Sequence, residues 1–183
     1  MPVQKENELI KADVLAKIGV DAGMAIGDLG CGNLGYFAMI AAKRVGKSGV
    51  VYAVDILKSA LESVANIARQ NGLDNIKTVW SNLEMLGATR IPEGTLDVIF
   101  LHNVLFQSKK KDLIIKESLR LLKDGGKLMI IDWLKSQTPV GFGPPEAVRP
   151  DPEEIKKISQ KIGYRFLEEF SAGPYHFGLI FIK

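Results

Sequence analysis

Met24-Ala25-Ile26-Gly27-Asp28-Leu29-Gly30-Cys31-Gly32-Asn33-Leu34-Gly35 is the stretch on which the fold turns. Met24 to Leu29 reads as a short buried strand. After the glycines, Phe37, Ile40, Ala41 and Arg44-Val45 recur at helical spacing. A chain reversing from strand to helix needs positive φ and close approach to its ligand, and glycine meets both needs because it lacks a Cβ. The helix start offers unpaired N–H groups and the positive dipole end, suited to a carboxylate or phosphate. Three glycines exceed what a bare turn requires, so Gly30, Gly32 and Gly35 read as a ligand loop.

The pattern repeats outward from this loop. Val50 to Val54, Ile76 to Trp80, Leu96 to Leu101 and Lys127 to Ile131 are further short apolar runs, read as strands. Leu61, Val64, Ala65 and Ala68 make one helical face; Ile114, Ser118, Leu121 and Leu122 make another, stopped at Gly125-Gly126. Leu9-Ile10, Val14-Leu15 and Ile18 form an N-terminal helix within residues 1–20. Strands separated by helices or helical turns require crossovers, so five strands should be parallel and covered on both faces.

The last third departs from this alternation. Residues 134–152, rich in Pro and Gly, are expected as an irregular segment over the top of the sheet, on the substrate side. Asp151-Pro152-Glu153-Glu154 has the order of an N-cap, a first-turn proline and a capping-box acid, and Ile155, Ile158 and Ile162 give that helix its apolar face. Tyr164 to Phe170 and Tyr175 to Ile182 are then separated only by Ser171 to Pro174, too short for a parallel crossover. They must pair as an antiparallel hairpin.

Bulk properties set the bounds. The 183 residues fit a single domain, and 46% hydrophobic with 25% charged residues is ordinary for a folded protein. A net charge of +3 is too mild for a dedicated nucleic-acid binder. Lys109-Lys110-Lys111 reads as a solvated helix start. The single cysteine, Cys31, allows neither an internal disulfide nor a cysteine-based metal site, so no metal is expected and a cytoplasmic chain is. No stretch is long and apolar enough to span a bilayer, and the start is too polar for a signal peptide.

Asp55 closes the second strand, 20 residues beyond Gly35, where an acid can accept hydrogen bonds from both hydroxyls of a ribose. Loop and acid together imply an adenosine-containing cofactor without saying which. Asp28 bears on that choice. A second acid aimed into the loop repels a pyrophosphate but can engage the ammonium of a methionine moiety.

These residues resemble the class I S-adenosylmethionine-dependent methyltransferases along nearly the whole chain. Asp28 to Gly35 looks like the family's first motif and Val51 to Asp55 like its second. Leu96 to Asn103 resembles the fourth-strand motif, and Leu121-Leu122-Lys123-Asp124-Gly125-Gly126 the turn before strand five. The resemblance implies a Rossmann-like α/β fold: a seven-stranded, mostly parallel sheet with helices on both faces. The reversed last strand of the C-terminal hairpin would lie between strands five and six.

The resemblance also implies S-adenosyl-L-methionine as methyl donor and S-adenosyl-L-homocysteine as product. Its binding residues would be Asp28, Gly30, Cys31, Gly32, Gly35, Asp55, Ile56, Asn82, Leu83, His102 and Asn103. Asn82 stands where many members place an acid beside the adenine. Gly27 stands where bulkier residues are usual and is expected to relax the first strand.

Methyl transfer from a sulfonium asks mainly that acceptor and methyl carbon be held close and water excluded. A base is needed only if the acceptor must lose a proton. Sequence alone names no fixed catalytic residue; the candidates are His102, Asp132 and, less directly, His176. Each has a plainer reading: a cofactor-lining histidine, a capping acid, and a strand histidine bonded to backbone. Trp133, Phe142 and Tyr175 are candidates to line an apolar acceptor pocket.

His102-Asn103-Val104-Leu105 is not the Asn/Asp-Pro-Pro-aromatic motif of amino-nitrogen methyltransferases, and Cys31 lies in the loop rather than at an acceptor site. A small-molecule acceptor is favoured, with nucleic acid or protein left open, no membrane partner expected, and the oligomer not legible. The alternatives are a non-catalytic cofactor-binding module of the same fold and an NAD(P)-dependent oxidoreductase.

Overall fold

In the computed structural model, which describes residues 14–135 and 142–183, the apolar runs become seven strands of one sheet. Helix α1 (Val14–Ile18) precedes β1 (Ala25–Leu29), α2 (Tyr36–Val45), β2 (Val50–Asp55), α3 (Lys58–Gln70) and β3 (Ile76–Trp80). Then follow β4 (Leu96–His102), a 3₁₀ turn (Leu105–Gln107), α4 (Lys111–Leu121) and β5 (Leu122–Trp133). A second 3₁₀ turn (Glu146–Val148), α5 (Pro152–Ile162), β6 (Arg165–Ser171) and β7 (His176–Ile182) complete the chain.

The strand order is β3-β2-β1-β4-β5-β7-β6, parallel except that β7 runs antiparallel to both β5 and β6. The expected hairpin is present, with its second strand inserted beside β5. Both faces of the sheet are covered, which explains why the central strands read as unbroken apolar runs. Along β4, Val98 and Phe100 join the core under α1 and α2; Ile99 and Leu101 join the core under α4 and α5. Strand β5 divides in the same way, Met129 and Ile131 against Leu128 and Ile130.

Three local expectations change. No helix lies between β3 and β4; residues 81–95 form a loop. Strand β5 begins at Leu122 rather than Lys127, because Leu122 pairs with Leu96 ahead of a register shift. The Gly125-Gly126 turn lies inside that strand, bonded to the backbone of Lys183. Gly27 does not loosen β1. A Cβ there would lie 2.7 Å from the Leu96 side chain, so glycine is what lets β4 pack this closely.

The first helix is described from Val14; Leu9-Ile10 lie outside the described residues, as do 136–141 of the irregular segment. Among the described residues no helix is long and apolar enough to cross a membrane.

Candidate active site

The strand order reverses between the parallel neighbours β1 and β4, and a crevice opens beyond their carboxyl ends, where open α/β sheets bind ligands. The glycine loop forms its floor. Gly30 has φ 82° and a Cβ there would strike Val104 at 2.5 Å; Gly32 has φ 61° and nothing within 4 Å. One glycine lets the loop press against its neighbour, and the other leaves clear space for a ligand.

Two cavities meet on this loop, sharing Gly30, Gly32, Asn33 and Gln107. One, of about 410 Å³, is lined by Asp55, Ile56, Leu57, Asn82 and Leu83. The other, of about 430 Å³, is lined by Asp28, Cys31, Tyr36, Phe37, His102, Asn103, Phe106 and Trp133. The structure thus gathers the expected cofactor residues around one crevice, apart from Gly35. That glycine instead caps α2 in the left-handed conformation, and a Cβ there would strike Val64 at 2.9 Å.

The two acids are prepared differently. Asp55 is fixed by its backbone: Gly32 N–H donates to Oδ2 and Leu57 N–H to Oδ1, each at 2.9 Å. Its remaining lone pairs border the first cavity. Asp28 is 2% exposed and accepts one bond, from Ala38 N–H at the start of α2, at 2.9 Å. Burial pushes its pKa up to about 7, Ala38 opposes this, and the Asp55 charge adds to it. A buried acid held near neutrality is completed by a cation, whereas a second anion would be repelled.

In the first cavity, Asn82 Oδ1 accepts from Glu84 N–H at 2.9 Å, forming the turn that presents Leu83. Glu117, fully buried on α4, anchors this loop by accepting from Gly87 N–H at 2.8 Å and Thr89 N–H at 3.2 Å. Arg120 Nε and Nη2 complete its partners at 2.9 and 2.7 Å. Burial opposes the Glu117 charge, but the hydrogen bonds from Arg120 and the loop outweigh it, and the carboxyl titrates below its ordinary value.

The other cavity is aromatic. Phe37 stacks on Phe100 at 5.1 Å and meets His102 edge-on at 5.0 Å. Trp133 meets His176 at 4.3 Å and Phe142 at 5.7 Å. Phe142 and Tyr175, expected as pocket walls, meet one another at a tilt with ring centres 4.8 Å apart, and neither lines the cavity. The buried Arg149 guanidinium lies over Trp133 and donates to the carbonyls of Leu134, Phe142 and Pro144.

The three catalytic candidates separate. His102 lines the cavity, and its Nε2 is buried without a partner among the described residues. Asp132 caps: its Oδ2 accepts from Leu105 and Phe106 N–H at 3.1 and 3.2 Å, and burial raises its pKa to about 7. His176 is not bonded to backbone as its plainer reading required. It is fully buried and neither ring nitrogen has a partner among the described residues, because it packs between Trp133 and His102. Burial also drives the Cys31 thiol far up, so it does not supply a thiolate. Among the described residues no cluster of His, Cys, Asp or Glu is placed to hold a metal.

Sequence reasoning missed Tyr36, Phe37, Phe106 and Gln107. Extending the search from each strand end at the switch point into the next turn would have found all four.

Strand order, switch-point loop and the two acids define the class: a Rossmann-like, class I S-adenosylmethionine-binding fold. A family model described as a methyltransferase domain matches residues 20–171, and the chain belongs to that family. It is 30% identical over 135 residues to a ubiquinone/menaquinone biosynthesis C-methyltransferase of Hahella chejuensis, covering 73% of this chain and 53% of that protein. It is 35% identical over 115 residues to an arsenite methyltransferase of Aquipseudomonas alcaligenes, covering 60% and 33%. The chain thus spans about half, or less, of these curated relatives. A solved S-adenosylmethionine-dependent methyltransferase from Aquifex aeolicus superposes with a TM-score of 0.83 at 25% identity, covering 100% of this chain and 98% of that one.

Proposed function

We propose that this chain transfers a methyl group from S-adenosylmethionine to a small organic acceptor with an apolar, planar face. The observation that carries the reading is the pair of cavities joined at the glycine loop, one walled for an adenosine and the other aromatic. In this reading Asp55 holds the ribose hydroxyls, Asn82 and Leu83 border the adenine, and Asp28 with Asn103 Oδ1 faces the ammonium. Asn103 supports that role. It has φ 54°, a conformation costly for a residue with a side chain, and its Oδ1 is buried without a partner among the described residues.

The donor supplies an activated methyl group, so the protein's task is to orient and to exclude water. Phe37, Phe106 and Trp133 are the surfaces available for that. Arsenite fits less well, because trivalent arsenic is soft and favours thiolates. The sequence holds only Cys31, which is kept as a thiol.

Calorimetry with S-adenosylmethionine and S-adenosylhomocysteine tests the donor, with micromolar binding expected. Folded protein that binds neither would sink the proposal. Tight binding without transfer across a broad acceptor panel would favour a non-catalytic module instead.

A further inference from the structure

We propose that His102 takes up the proton that a neutral oxygen or carbon acceptor sheds as it is methylated; this rests on the methyltransferase reading above. His102 ends β4 and lines the aromatic cavity beside Phe37, Phe106 and Trp133. Its Nε2 is buried without a partner among the described residues, so that nitrogen has no structural hydrogen bond that would explain an imidazole here. Phenylalanine would pack against Phe37 at less cost.

Its surroundings set the timing of proton transfer. The titratable groups that line this cavity or meet the imidazole are Asp28 on β1, Cys31 in the glycine loop, Tyr36 on α2 and His176 on β7; Asp132 on β5 and Arg149 lie beyond them. Burial, and then the nearby His176, push the His102 pKa down to about 3. His176 is itself held down at about 4 by burial and Arg149. The imidazole is therefore neutral at ordinary pH and does not repel a sulfonium. It is too weak a base to ionise a resting hydroxyl or to deprotonate an aliphatic ammonium product. Once a hydroxyl oxygen or ring carbon has accepted a methyl group, however, its remaining proton is far more acidic than such an imidazolium, and transfer runs downhill.

The step balances as follows. The acceptor's electron pair forms the bond to the methyl carbon, and the sulfur–carbon pair stays on sulfur. The acceptor's bond to hydrogen then breaks, its pair returns to the acceptor, and the proton passes to His102 and on to solvent. The inferred acceptor class is hydroxyl or electron-rich ring carbon, not aliphatic amine.

The sequence holds two histidines, so a single His176→Gln variant assigns both imidazoles by nitrogen NMR. With S-adenosylhomocysteine bound, phenol should displace a His102 ring-nitrogen resonance and toluene should not. Equal displacement by both probes, or none by either, overturns the role. In a methyl-transfer panel, phenols and enols should be labelled in preference to aliphatic amines of equal size. His102→Gln, measured at saturating donor, should lower that labelling at least roughly 100-fold, far more than any change in product affinity. Amines labelled as fast as phenols, or a fully active His102→Gln, would overturn it too. Failure of the parent methyltransferase reading shows separately, as loss of S-adenosylhomocysteine binding in the unaltered protein.

Discussion

The two segments that border the crevice are fastened by opposite charges. On the adenosine side, buried Glu117 gathers backbone N–H groups of Gly87 and Thr89. On the aromatic side, buried Arg149 gathers the carbonyls of Leu134, Phe142 and Pro144. The first fastening also has a built-in counter-ion one helical turn away, Arg120. The first region is nearly complete in its hydrogen bonding, while the second keeps unpartnered atoms on His102, Asn103 and His176 among the described residues. On the function proposed above, the region assigned to the donor is finished in advance, and the region assigned to the acceptor keeps polar atoms open until the acceptor arrives.

Breaking the first fastening should have the largest effect. Glu117→Ala leaves two amides without an acceptor and Arg120 with only the Ile91 and Thr89 carbonyls, and unfolding in urea should show a loss of about 3 kcal/mol. A loss under 1 kcal/mol would mean that the loop is held by its apolar contacts alone. Asp55→Ala tests the ligand rather than the loop. It removes charge-assisted bonds to both ribose hydroxyls, and calorimetry should show S-adenosylmethionine bound roughly 100-fold more weakly. Unchanged affinity would show that the ribose lies elsewhere.

Arg149→Leu addresses the aromatic side. Its carbonyls can turn to water, so the expected loss of stability is smaller, about 2 kcal/mol, with donor affinity retained. If donor affinity fell as far as in Asp55→Ala, the two regions would not be separable.

The smallest effect sharpens the contrast between the two acids. Asp28 titrates near 7 in the free protein, so its ionised fraction rises from about one-tenth at pH 6 to nine-tenths at pH 8. An ammonium pairs with the ionised form, so donor binding should tighten about fivefold from pH 6 to pH 7.5, above which the ligand's α-ammonium itself begins to lose its proton. The sign for folding is opposite. The raised pKa means that the folded state holds its proton longer than the unfolded one, so this group's contribution to stability falls from about pH 4 to pH 7. Asp28→Asn should flatten the binding profile and stabilise the unliganded protein at pH 8; a slope that survives the substitution would assign it to another group.

Much of the half of the crevice built on the glycine loop and Asp55 was legible because its residues are local. Gly30, Gly32 and Asp55 lie at strand ends that periodicity alone locates, and the short gap at Ser171 to Pro174 forced the antiparallel hairpin. The acceptor half is assembled from afar. Trp133, His176 and Arg149 meet only through the placement of β7 beside β5, and nothing in the neighbourhood of any one of them announces the others. Glu117 was equally silent, an i,i+3 pair with Arg120 that reads like any solvated helix face until the 81–95 loop folds over it.

The insertion of β7 between β5 and β6 also governs the order in which the protein can be born. A chain leaving the ribosome presents β5, twelve residues with six buried in succession at its end, long before β7 exists to cover its free edge. Until then one side of β5's buried C-terminal half stays open, the kind of edge that recruits the wrong partner. Completion of the sheet therefore falls to β7, which closes the centre and the crevice wall together, and a nascent chain stalled before Gly178 would be a candidate for chaperone capture rather than a smaller folded protein.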